Sequence, residues 1–120
     1  MTRTGIPQLL TDLIAYATQA IDGMDAYADA EERYRRFIRG SVIRDLIVIG
    51  EIATRLGTEF HDQHPSVPWR MIVAQRNVVA HGYDAIVWER LMALREHHLP
   101  ELIENCRKIL NQYAPPPSEL

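Results

Sequence analysis

The segment QRNVVAHGY at 75–83 carries Arg76, Asn77, His81 and Tyr83 within eight residues. A histidine can give and take protons near neutral pH, and the negative end of a helix dipole favours its charged form. An arginine beside it offers a permanent forked donor matched to phosphate oxygens. A tyrosine two residues further on adds a hydroxyl that can donate to a phosphate or to a leaving oxygen. Together these groups could cleave a phosphodiester without a metal. Taken as residue types alone they could equally be structural, since a lone histidine usually is. In an unbroken helix Arg76 and His81 stand about 140° apart. A break at Gly82 is therefore expected to let His81 and Tyr83 turn back toward Arg76.

The elements that must position these residues read as helices. From Ile6 to Met24 the apolar residues Ile6, Leu9, Leu10, Leu13, Ile14, Ala17, Ile21 and Met24 recur at three-four spacing. Asp29 and Glu32 have capping-box spacing, which predicts the start of a second helix. Gly40 inside that helix is a place for it to bend or split, and Gly57 is expected to end it as a left-handed cap. Along 42–56, VIRDLIVIGEIATRL, the apolar side chains go almost all the way round the helix. Val42, Ile49, Ala53 and Leu56 form one stripe, with Ile43, Leu46 and Ile47 beside it. One stripe is expected to meet the domain core and the other a second copy across a two-fold axis. Arg44, Glu51 and Arg55 share the polar strip that remains. Glu51 and Arg55, one turn apart, could pair, or the strip could line a groove.

TEFHDQHPSV reads as a polar loop. Pro68 suits the first position of a third helix, which Gly82 is expected to stop. Asp84 can cap a fourth helix from Ala85, and Pro100 is expected to interrupt or restart it. Leu99, Leu102, Ile103, Cys106, Ile109, Leu110 and Tyr113 form a last seam, with Cys106 expected to be buried packing. The segment 114–120, APPPSEL, is expected to be a proline-rich disordered tail. No period-two alternation suggests strands. The expected fold is all-α: an antiparallel bundle of four to five helices in one domain, 1–113, forming a two-fold dimer.

Composition narrows the functional classes. A chain of 120 residues, 47% apolar, can build one ordinary core. Its net charge of −3 speaks against a uniformly basic nucleic-acid grip. However, Arg33, Arg35, Arg36, Arg39 and Arg44 fall in twelve residues directly after an acidic stretch. This is either a solvated helix face or a strip for phosphates or a partner. No apolar run reaches the ~20 residues of a membrane span, and the start lacks a cleavage site after a long apolar stretch, so the expected location is cytoplasmic. The single Cys106 allows no internal disulfide or CxxC site. His61 and His64 around Asp62 lack a third ligand nearby for zinc, and His97 and His98 read as solvated. No cofactor or metal site is expected, and no nucleotide-binding or serine-hydrolase motif is present.

R-N-x3-H-G-Y at the end of a helix resembles the R-x4-6-H signature of the HEPN ribonucleases, in the R-x4-H-x-Y form of the HepT toxins. IGEIA at 49–53 is similar to that group's I-G-E-A segment, and HPSVPWRMI at 64–72 to its P-x-I-P-W-R stretch. Leu99-Pro100 recurs downstream at the expected distance. The resemblance spans most of 37–113 in consistent order. Asp84 stands where relatives commonly have an aromatic residue, and Met92 replaces a frequent tryptophan, with Trp88 one turn earlier.

The resemblance implies an endoribonuclease in which a ribose 2′-hydroxyl attacks the adjacent phosphate. The catalytic residues would be Arg76 and His81, shared across a homodimer, and Asn77 would hold the motif or contact RNA. It also implies a nucleotidyltransferase antitoxin of the MntA type, which would silence the toxin by transferring AMP to Tyr83. The alternative is a non-catalytic module of the same fold that binds nucleotide or RNA, or docks the nucleotidyltransferase.

Overall fold

The computed structural model describes residues 5–81 and 85–113, with backbone alone for 77–81 and 85–87. Six helices follow one another: α1 (Gly5–Tyr27), α2 (Glu32–Leu56), α3 (Thr58–Gln63), α4 (Trp69–His81), α5 (Ala85–His97) and α6 (Leu99–Tyr113). The fold is all-α. The extra helix is the short α3, formed within the stretch read as a loop.

α1 and α2 form the central antiparallel hairpin, and α6 packs on α1 while α4 packs on α2. Leu10, Leu13, Ala17, Ala20 and Met24 fill the inward face of α1, as the three-four spacing requires. The two long helices approach closely at Gly23, where an added Cβ would lie 2.8 Å from Val42 Cγ2. The turn between them is held by Arg35, whose Nε and Nη2 donate to the carbonyls of Tyr27 and Ala28 at 3.1 and 2.9 Å. Arg39 donates to the Tyr27 hydroxyl at 2.7 Å. The Tyr27 ring lies 4.3 Å from that of Trp88, which ties α5 to the same corner. Arg95 of α5 forms a two-point ion pair with Asp25 of α1 at 2.7 and 2.9 Å.

Several sequence expectations need correction. Asp29 is not the cap of α2: the N-cap position is Glu31, with no side-chain capping bond. Gly40 does not split α2, which runs unbroken to Leu56. Gly57 does end it with positive φ, but at φ 93° and ψ 157° rather than in the left-handed helical region. Pro68 precedes α4, its carbonyl accepting the amide of Ile72 at 3.1 Å. At the Leu99-Pro100 pair α5 gives way to α6 after His98.

The double stripe on α2 also has a different cause. Ile43 and Leu46 are only 6% and 7% exposed within the single chain, and Leu46 shares an apolar cleft with Ile72 of α4. Only Ile47 and Val48 remain partly buried. The nearly all-round apolar pattern reflects a helix covered by its own chain on two sides, so it carries no information about a second copy.

The corner before α4 is fixed by aromatic packing. His61 Nε2 donates to the Ala53 carbonyl at 2.7 Å, and its ring stacks on Trp69 with centroids 5.0 Å apart. Trp69 Nε1 donates to the His64 carbonyl at 2.9 Å. His61 is thus engaged in structure. Cys106 is fully buried on α6, where burial pushes its thiol up to about 12, so it stays protonated and serves packing. His97 and His98 are exposed.

Candidate active site

Arg76 is positioned by the absence of a side chain on the facing helix. A Cβ built on Gly50 would lie 2.7 Å from Arg76 Cβ and 3.3 Å from its Cγ. No real Cβ contact is that short, so α2 and α4 can approach at this level only because residue 50 is glycine. The close approach presses the aliphatic stem of Arg76 onto α2 and leaves the residue half-buried. Among the described residues no carboxylate forms an ion pair with its guanidinium.

The crossing is antiparallel. Thr54 and Gly57, further along α2, share a cleft with Trp69, Arg70 and Val73 near the start of α4. The end of α4 at His81 therefore lies about 7.5 Å along the α4 axis beyond the Gly50 level, toward the first half of α2. α4 is helical through His81, so positions 76 and 81 stay about 140° apart around its axis. The backbone at His81 is thus still helical, and the turn back expected at Gly82 lies outside the described residues. The side chains of Asn77 and His81, and all of Gly82, Tyr83 and Asp84, lie outside the described residues.

Arg44, Glu51 and Arg55 are exposed along the outer face of α2. Glu51 and Arg55 form no ion pair within 4 Å among the described residues, so the pairing anticipated for them is absent. An apolar cleft of about 340 Å³ opens on the α2/α4/α6 side, between Leu46, Ile49, Ile72 and Leu102, with Gln75, the neighbour of Arg76, on its rim.

Asp45 is a residue that sequence reasoning passed over. It is 3% exposed, and its Oδ2 accepts no hydrogen bond from the described residues. Burial pushes its carboxyl up to about 6, with the adjacent Arg44 pulling the other way. The available signal was a lone carboxylate inside an apolar run, one turn after Val42, which touches α1. Gly50 was noticed only as part of a motif; its steric role needed the facing helix.

The profile of the ribonuclease HepT-like family matches residues 10–109, nearly the whole described chain. The chain belongs to the HepT-like ribonuclease family. A Methanocaldococcus jannaschii protein, named as a candidate RNase, is 28% identical over 85% of this chain and 94% of its own length. A protein from Thermococcus cleftensis named "Probable ribonuclease HepT" is 28% identical over 82% of this chain and 84% of its own. A second candidate RNase from M. jannaschii is 23% identical over 92% of this chain and 95% of its own length. No solved structure matches the chain. Within the HepT-like frame, the contact between Gly50 and Arg76 joins the two segments on which the resemblance rests: I-G-E on α2 and R-x4-H on α4.

Proposed function

We propose that this HepT-like chain is a metal-independent endoribonuclease toxin whose catalytic residues are Arg76 and His81. The observation that carries the reading is the Gly50–Arg76 contact, which gives the family's two motif segments a common physical purpose: to fix the stem of the Arg76 side chain. In the reaction a ribose 2′-oxygen attacks the adjacent phosphorus and the bond to the 5′-oxygen breaks. The products are a 2′,3′-cyclic phosphate and a 5′-hydroxyl. A base takes the 2′ proton and an acid supplies one to the leaving oxygen. Arg76 holds the charge that builds on the phosphoryl oxygens.

Each chain has one His81, so a homodimer that brings two copies together supplies both acid and base. The 140° separation of Arg76 and His81 on one helix supports this division, since a single α4 presents the two positions on different sides. Asn77 is assigned to holding the motif or contacting RNA. With the α2 stripe explained by the chain itself, the dimer is tested at Ile47, which is partly exposed, and not at Ile43, where a charge would break the fold. I47E should lower the mass in light scattering and abolish cleavage together; a monomeric, active parent would overturn the shared site.

The same reading includes control by an MntA-type nucleotidyltransferase. The Tyr83 hydroxyl would attack the α-phosphate of ATP and release pyrophosphate, placing an adenylyl group two residues from His81. Its charge and bulk would exclude the substrate phosphate. Family membership supports this assignment. The first experiment is expression in cells with and without the neighbouring nucleotidyltransferase. Growth arrest that disappears in H81A supports the toxin. Harmless expression of the parent alone supports a docking module instead. Adenylyl mass on Tyr83 that is lost in Y83F tests the mode of silencing.

A further inference from the structure

The arginine-rich start of α2 separates into two sets. Arg35 and Arg39 are turned inward and hydrogen-bonded at the hairpin corner. Arg33, Arg36 and Arg44 are exposed. Arg33 pairs at 3.0 Å with Glu31, itself exposed, whereas Arg36 and Arg44 form no ion pair among the described residues. Between them lie Tyr34 and Phe37, 49% and 64% exposed, the large hydrophobic side chains that the described fold leaves in water. Guanidinium groups already lie over both rings: Arg33 at 4.9 Å from the Tyr34 centroid and Arg36 at 5.4 Å from that of Phe37.

Helix geometry sets Arg33, Phe37, Gly40 and Arg44 within about 60° of one another, along a track of about 16 Å. Gly40 leaves that track open at its middle, with nothing within 4 Å of where a Cβ would be. The track ends at Arg44, six residues before Gly50 on the same helix.

We propose that this face of α2 is the approach path for single-stranded RNA. Phe37, with Tyr34 beside it, receives an unpaired base, and Arg36 and Arg44 hold the flanking phosphates and lead the strand to the motif on α4. The proposal rests on the ribonuclease reading and deepens it by naming the substrate class. The charge argues for a nucleic acid: the chain as a whole carries −3, yet here unpaired cations are concentrated around exposed rings. Guanidiniums and aromatic rings in alternation form a platform on which bases stack whatever their sequence. The rings argue for a single strand, because a duplex hides the faces of its bases and offers an α-helical surface mainly phosphates and groove edges.

The test uses the full chain carrying H81A, so that RNA stays uncut, and a labelled, unstructured 12-nucleotide RNA, alone or annealed to its complement. In fluorescence anisotropy, adding F37A should weaken single-strand binding about tenfold while changing duplex binding less than twofold. R36A and R44A should each flatten the salt dependence of single-strand binding by somewhat under one unit of slope. With His81 restored, F37A should raise KM and leave kcat in place. Unchanged single-strand affinity in F37A and R36A, in a protein whose parent cuts RNA and whose H81A form does not, would overturn the path alone. A parent that neither binds nor cuts RNA would overturn the ribonuclease reading as well. A fall in solution mass with F37A would show the face to be a contact between copies, and the proposal would be wrong.

Discussion

Gly40 and Gly50 lie ten residues apart on one unbroken helix, yet a methyl group at the first would meet nothing within 4 Å and at the second would collide with Arg76. The first half of α2 turns its outer face to water and carries exposed arginines and rings. The second half is wedged between α1 and α4. The same residue type is tolerated in one half and required in the other, and that requirement belongs to the helix crossing rather than to the backbone of α2, since neither glycine has positive φ. Helix propensity alone ranks the two alike. Only the facing helix distinguishes them.

The comparison breaks most directly at Arg76. R76A should lower kcat for RNA cleavage by about two to four orders of magnitude under conditions where the variant is fully folded. R44A, in the open half, should act on affinity and its salt dependence alone. If R44A matches R76A in kcat, the division between reacting and guiding halves is wrong.

G50A comes next. Overpacking costs about 1–3 kcal/mol, and the gain of about 1 kcal/mol from replacing a helical glycine offsets part of it. The net loss of stability should be visible in urea denaturation. Cleavage should fall by at least tenfold under conditions where the variant is fully folded, because α4 has to shift away. Full activity in a stable G50A would mean that the placement of Arg76 does not matter.

Asp45 sharpens the contrast through pH. Its folded carboxyl titrates at about 6, above the 3.8 of an unperturbed side chain, so protonation favours the fold. The penalty is fully present above pH 6 and vanishes as pH falls through 6 toward 3.8. At ~1.4 kcal/mol per unit it amounts to a few kcal/mol at most. Stability measured by urea should therefore rise between pH 7 and pH 5, and D45N should remove that rise. The exposed Asp25 behaves oppositely: the hydrogen bond from Arg95 holds it below its usual range, so its contribution is lost only at more acidic pH. The smallest effect is at Gly40, where G40A should stabilise the protein by about 0.5–1 kcal/mol and leave kcat in place.

How far the sequence alone reaches can be judged from particular residues. Periodicity placed α1 and the seam of α6 because each has one buried face, and one buried face is what three-four spacing encodes. It misjudged 42–56 because a helix covered on two sides by its own chain and one covered partly by a second copy have the same pattern. α3 was missed because its six residues, TEFHDQ, bury Phe60 alone. The assignment of a site to 76, 77, 81 and 83 rests on their order and on family likeness. The steric cause of the glycine at 50 and the orphaned carboxyl at 45 depend on which helix lies opposite, and no local window contains that information.

The packing of the two tryptophans gives the molecule a pair of optical reporters, one at each end. Trp69 is 4% exposed and stacked on the His61 ring, at the corner where α3 leads into α4. Trp88 lies against Tyr27, with Arg39 6.0 Å from its ring, at the corner beneath the arginine-rich face. With one indole replaced by phenylalanine, the emission of the other follows a single end of the bundle. Local unfolding could then be watched at the α3 corner and ligand arrival at the α1/α5 corner, with no label attached.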